Sequence, residues 1–253
     1  LTMLMQHMPD VPIKYSLANR LRQQQRMKSG DQFCSIPMLR RADSDQLGYF
    51  IPFMASTPIQ AVVRREDLAR LPLVNGHLSL DRLLQETDLQ VGISTHRTYP
   101  PGIASWLEEA VKLGRAESAS GTQSGENLLL MVSHHRLDLT FEFPIIIQSI
   151  DEQRSLHEPL VSVPLLEHQD LVETGIYCTR DAWGKAMALR LDGAVRAIAA
   201  KPDGFLEFYR QRVPAETYQI FAARLRDYYL HRSLLTQDFG PLPATGTLLS
   251  SHP

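Results

Sequence analysis

Between Leu17 and Phe143 the chain passes repeatedly between helix-type and strand-type segments, a pattern that commits it to α/β architecture. Leu17 to Met27 (LANRLRQQQRM) is built from straight-chain helix formers and stops at Ser29-Gly30. Phe33 to Met38 reads as a short strand. Tyr49 to Val63 reads as strand again, broken by Pro52 and Pro58. A second block restarts with a brief helix at Leu78–Leu84 and a buried strand at Leu89–Ile93. In the next helix Ile103, Trp106, Leu107, Ala110 and Val111 recur at helical spacing, and Pro101 suits its first turn. Ser118–Gly125 reads as a polar loop, Glu126–His135 as a helix, and Leu137–Phe143 as an alternating strand. Asp138, Thr140 and Glu142 share one face of that strand. Strands are expected at Leu160–Leu166 and Gly175–Thr179, then helices at Trp183–Ala199, Gly204–Arg212 and Ala215–Leu230. The aromatics of these last helices read as packing, and the Pro-, Gly- and Ser-rich tail from Gly240 reads as a linker.

Charge and composition remove several classes of function. Lys and Arg number 26 against 28 Asp and Glu, a formal charge of -2, and no basic run tracks a phosphate backbone, so nucleic acid is not an expected partner. The apolar stretches Leu128–Val132 and Pro144–Ile147 fall far short of the roughly 20 residues that cross a bilayer, which leaves a soluble body as the expectation. The opening LTMLMQHMPD has neither a charged start nor a small-residue cleavage site, so no signal peptide is expected in it; an exported, processed chain stays open. The two cysteines, Cys34 and Cys178, are compatible with one disulfide or with two small buried side chains that never meet.

Motifs for common cofactors are missing. There is no GxxxxGK[ST], no GxGxxG after a strand, no HExxH and no GxSxG, so no cofactor is expected. Gly121–Gly125 (GTQSG) is not followed by Lys and reads as a loop capping a helix. His134 and His135 are adjacent at a helix end, where neighbours do not share a face, so no metal site is expected. The loop Ser94–Tyr99 differs, because it leaves the carboxyl end of a strand and enters a helix, the place where α/β sheets bind anions. It offers the hydroxyls of Ser94, Thr95 and Thr98, the guanidinium of Arg97 and the ring of Tyr99. A solvated turn with an incidental Arg fits the same residues equally well.

Several stretches, in order from about residue 15 to 200, resemble the type II periplasmic binding proteins, in particular the extracellular solute-binding family 3 that serves amino-acid importers. They are KSGDQFCSI, the strand Phe50-Ile51-Pro52-Phe53 leading to AVVRR, LSLDRLLQETDLQVGI, and Arg136-Leu137-Asp138 after a helix. Cys34, Arg97-Thr98-Tyr99, Glu142 and Trp183-Gly184 are similar to a little-characterised periplasmic subgroup of it. The resemblance implies a two-lobed α/β fold with two hinge strands, in which a ligand is enclosed in an interlobe cleft. Lobe one would be residues 1–65 and 177–253, and lobe two residues 66–176. The family usually opens with a further strand and an aromatic-bearing loop, and this sequence begins after them, so either an N-terminal strand is missing or the site is incomplete. It also carries Thr-x-x-Arg ahead of the FS-x-P strand to grip an α-carboxylate. Here Ser44 stands at that position, and Arg40 or Arg41 is the substitute. Carried over by position, Arg97 and Thr98 match the anion loop of lobe two, Glu142 falls within one residue of the acidic partner for an ammonium, and Phe53 lies on the strand that lines the pocket.

The function this implies is that of a periplasmic, monomeric receptor. It would capture a small polar or anionic solute, without chemistry, for a membrane permease or a signalling partner. The ligand-binding set is Arg41, Phe53, Ser94, Arg97, Thr98, Tyr99 and Glu142. The alternative is an enzyme on the same scaffold, of dehydratase or lyase type, in which Glu142 works with Arg97 or His96. A regulator's effector domain is disfavoured by the lack of a DNA-binding segment.

Overall fold

The computed structural model describes residues 2–18, 20–95, 97–121, 124–153 and 156–241. The described chain packs as two compact units: the stretch up to Ser56 with Glu173–Asp203 and Leu225 onward, and Thr57–Val172 with Gly204–Arg224. In chain order, the first stretch holds α1 (Thr2–Gln6), α2 (Arg20–Lys28), β1 (Cys34–Leu39), α3 (Ala42–Asp45) and β2 (Gly48–Ser56). The second holds β3 (Gln60–Arg64), a 3-10 turn at Arg65–Arg70, the two-residue strands β4 (Leu73–Val74) and β5 (His77–Leu78), and α4 (Leu80–Glu86). It continues through β6 (Val91–Ser94), α5 (Pro101–Lys112), β7 (Ala116–Ala119), α6 (Ser124–Ser133), β8 (Leu139–Glu142), α7 (Pro144–Gln153) and β9 (Leu160–Val163). Then come β10 (Val172–Thr179), α8 (Ala182–Ala199), α9 (Asp203–Arg210) and α10 (Ala215–Leu234).

In the first unit the sheet runs β1-β10-β2, with β1 antiparallel to β10 and Cys34 directly opposite Cys178. The two cysteines form a disulfide, which resolves the alternative left open by their spacing. Met27, Phe50 and Tyr177 form a buried cluster beside it.

In the second unit the described residues form a five-stranded sheet of order β7-β6-β8-β3-β9. Strands β7 and β8 run parallel to β6, while β3 is antiparallel to both β8 and β9. All five residues of β3 (QAVVR) are buried because helices cover both faces of the sheet. Ala61 and Val63 join Leu80, Leu83, Ile103, Trp106 and Leu107 on one side; Val62 joins Leu129, Ile147 and Ile150 on the other. The same alternation puts Leu139 and Phe141 of β8 in the first layer. Thr140 and Glu142 take the opposite face, as expected, but that face is buried rather than wet.

Two expectations need correction. The loop assigned to Ser118–Gly125 begins inside an edge strand, β7, whose sequence AESA has none of the β-branched or aromatic residues that mark strands. Pro144–Gln153 forms the helix α7, where only an apolar stretch was read. Residues 204–224 pack with the second unit. There Ser162 Oγ lies 2.8 Å from Thr217 Oγ1, Gln148 donates to the Gln211 carbonyl at 3.1 Å, and Arg224 donates to the Gln169 carbonyl at 2.7 Å.

Candidate functional site

Strand β6 lies between β7, the next strand in sequence, and β8, the one after that. The connection leaving β6 goes to one side and the following crossover returns to the other. The carboxyl ends of β6 and β8 therefore flank a topological switch point, where open α/β sheets bind ligands. The Ser94–Tyr99 loop leaves one of these strands and Glu142 ends the other. Gly92 lets the layers close here, since a Cβ at that position would lie 2.6 Å from both Leu128 Cδ2 and Leu137 Cδ1.

Arg97 and Glu142 meet at this point, with Nη2 2.5 Å from Oε2. Glu142 is 1% exposed, and its Oε1 accepts the Phe143 backbone N–H at 2.7 Å. Burial raises the carboxyl above its ordinary range, and the Arg97 charge beside it opposes that rise. The Arg97 side chain keeps 21% exposure, its guanidinium carbon lies 5.3 Å from the Phe143 ring centre, and it borders an open depression of about 250 Å³ with Ile93, Tyr99 and Leu107. Its Nε is buried and has no hydrogen-bond partner among the described residues. Gly125, the second residue of α6, makes room for the pair. A Cβ there would lie 2.6 Å from Glu142 Oε2 and 3.3 Å from Arg97 Nη2.

Other members of the expected set surround this pair or lie in the other unit. Ser94 is buried; its hydroxyl is 2.5 Å from that of Ser124 and its backbone N–H donates to Tyr99 Oη at 3.0 Å. Burial raises the Tyr99 phenol further above neutrality, so it serves as a neutral acceptor that holds the loop. Thr95 N–H donates to the Ala119 carbonyl at 3.0 Å, and Thr98 is exposed. The helix that follows starts at Pro101, and Pro100 has no side-chain group with which to cap it. His96 lies outside the described residues.

Arg41 and Phe53 belong to the first unit. Arg41 precedes α3, and its backbone N–H donates to Tyr177 Oη at 3.0 Å, while that hydroxyl donates to Asp45 Oδ1 at 2.6 Å. Burial, then the bond to Asp45, pushes the Tyr177 phenol well up. Arg40 is committed to Asp45 at 3.1 Å. Phe53 is 3% exposed in a strand buried along most of its length. Asp138 of the Arg-x-Asp motif is structural: it accepts the Gln90 N–H at 2.8 Å and pairs with Arg70 at 3.2 Å and Arg64 at 3.5 Å.

Sequence reasoning missed Gly125 and Ser124. Their roles come from contacts with Glu142 and Ser94 across the sheet, and the glycine of the GTQSG stretch was the one available signal.

Solved structures give the fold its relatives. The probable amino-acid ABC transporter extracellular-binding protein YtmK of Bacillus subtilis superposes with a TM-score of 0.56 at 11% identity, over 90% of this chain and 86% of its own. The fold is that of solute-binding proteins. The arginine-bound substrate-binding protein AbpA of an amino acid ABC transporter from Streptococcus pneumoniae matches at 0.51 and 14% identity, covering 93% and 83% of the two chains. A histidine kinase sensor domain with similarity to periplasmic binding proteins matches at 0.52 and 12% identity, over 88% and 84%. No protein-family model and no curated protein matches the chain.

Proposed function

We propose that this protein is an exported solute-binding protein that captures a small amino-acid-like solute for a membrane importer or a sensor. Arg97 takes the solute's anionic group and Glu142 its cationic group. The observation that carries this reading is the buried Arg97 Nε, without a hydrogen-bond partner among the described residues, next to a buried carboxylate at the switch point. A guanidinium has five N–H donors in a rigid fork, and a carboxylate has about four acceptor positions. Each side chain thus keeps capacity after meeting the other, and a buried donor left unpaired costs about 1–3 kcal/mol, which a bound carboxylate relieves. A buried ion pair is seldom retained for stability alone.

Ser94 and Tyr99 act in this reading as positioning residues for the loop, and Thr98 as an exposed hydroxyl on its rim. Arg41 and Phe53 are the ligand-contact candidates of the first unit. The Cys34–Cys178 disulfide supports an oxidising compartment such as the periplasm. Relatives that bind arginine or serve as a sensor domain fit both outlets, delivery and signalling.

The test is a thermal-shift panel of free amino acids, dipeptides, plain carboxylates and plain amines. The expected result is stabilisation by at least one zwitterion, about 2.7 kcal/mol at a hundredfold excess over Kd, and weaker stabilisation by analogues bearing one charge. Failure of every compound to stabilise the protein would remove the proposal. An enzyme reading has one observation in its favour, the raised carboxyl of Glu142, which suits a proton donor. Conversion of the stabilising solute, abolished in Glu142→Gln, would replace binding by catalysis.

A further inference from the structure

We propose that His135, His157 and Glu158, all in the second unit, form a surface site for a divalent transition-metal ion of the zinc class. Their donor atoms lie within 4.8 Å of one another, and His157 Nδ1 is already 3.6 Å from Glu158 Oε1. Ligands bonded tetrahedrally at about 2.0–2.2 Å sit roughly 3.4 Å apart, so small rotamer changes complete the set. Those changes are cheap, because the side chains are 49%, 57% and 34% exposed.

The backbone beneath the site is tied together rather than free. Ser133, fully buried at the end of α6, donates its hydroxyl to the Glu158 carbonyl at 3.0 Å and accepts the Glu158 N–H at 2.8 Å. One residue on, the Pro159 carbonyl accepts the Arg65 N–H at 2.9 Å. Three chain segments are thus fixed around the donors, the kind of support a metal site needs. His135 reaches the cluster because it has left the helix: its φ is 58°, the left-handed conformation of a helix C-terminus. The expectation of no metal site treated His134 and His135 as helical neighbours, and that premise fails at His135. It also had no view of His157, which follows 22 residues later.

Two imidazoles with one carboxylate favour zinc, copper or nickel over magnesium and calcium, which prefer oxygen donors. Glu66 Oε1, 3.8 Å from both His135 Nε2 and Arg64 Nε, stands outside this set, which leaves the fourth position to water. The His134 ring, 5.2 Å from the His157 ring, shields one side without offering a donor to the set. A bound ion would clip the segment entering β9 to the end of α6 and raise the stability of the second unit. This site is separate from Arg97 and Glu142, so it stands or falls independently of solute binding.

The experiment is calorimetric titration of zinc chloride into the chelator-treated full chain, paired with thermal melts with and without zinc. The expected result is one ion per chain and a zinc-dependent rise in Tm. His157→Gln and Glu158→Gln each weaken binding more than about tenfold and abolish the rise, while His134→Gln leaves both in place. His157→Gln alters an exposed side chain, so melts without zinc should match the parent and exclude misfolding. No stoichiometric binding, or binding undiminished in His157→Gln, would overturn the proposal.

Discussion

Replacing Arg97 by Met keeps most of the side chain's bulk over the Phe143 ring but removes the charge facing Glu142. The lost contact is a charge-assisted hydrogen bond, worth about 1.5–3 kcal/mol. Removing one partner of a fully buried pair costs about 3–5 kcal/mol. Arg97 is 21% exposed and Glu142 can escape by taking a proton, so the lower range applies, about 2 kcal/mol near neutral pH. For a protein of this size that is a fall in Tm of about 4–8 °C. The pH dependence carries the sharper test. Burial raises Glu142 in the folded state above its unfolded value, so the folded chain holds this proton longer. Its contribution to stability therefore falls as pH rises from the ordinary carboxylate range through the raised folded value. Arg97 opposes the rise, so Arg97→Met pushes that window to higher pH. The Tm gap between parent and variant should widen as pH rises from the ordinary carboxylate range, in melts followed by circular dichroism. A gap of constant size over that rise would refute the reasoning, because Glu142 would then not be the group left unpaired.

Gly125→Ala should lower Tm and weaken solute binding together, since its Cβ would meet Glu142 Oε2 at 2.6 Å; overpacking of this kind costs about 1–3 kcal/mol. Wild-type stability in Gly125→Ala would show that the pair moves freely. Loss of the Cys34–Cys178 bond, by reductant or by the double Ser substitution, should cost about 2–5 kcal/mol; two titratable thiols in the unreduced native protein would contradict this. Asp192→Asn should destabilise the first unit by about 3 kcal/mol, because Arg232, 3% exposed, loses its carboxylate partner. Its bonds to the carbonyls of Pro52 and Leu235 keep the cost at the low end of the range for buried pairs, and chemical denaturation measures it.

Much of the architecture was legible because local chemistry and packing agree. Pro101 opens α5, the QAVVR segment is buried on both faces, and the Val-Gly strand delivers Ser94–Tyr99 to the carboxyl end of the sheet where Glu142 also ends. What was hidden depends on contacts distant in sequence. Strand β7 is a polar edge strand recognisable only through its parallel pairing with β6. Where residues 204–224 pack rests on contacts far apart in sequence, such as Thr217 Oγ1 lying 2.8 Å from Ser162 Oγ. Gly125 is one glycine among 14 until Glu142 is brought against it. His135 read as helical until its left-handed backbone released it toward His157.

The central claim is that Arg97 and Glu142 hold opposite charges of one small solute. Calorimetric titration of the most stabilising zwitterion into the parent, Arg97→Met and Glu142→Gln measures this most directly. The account predicts one site per chain in the parent, and affinity lower by more than about tenfold in each variant, one charge-assisted contact being worth about 1.5–3 kcal/mol. Equal affinity in all three proteins would contradict it.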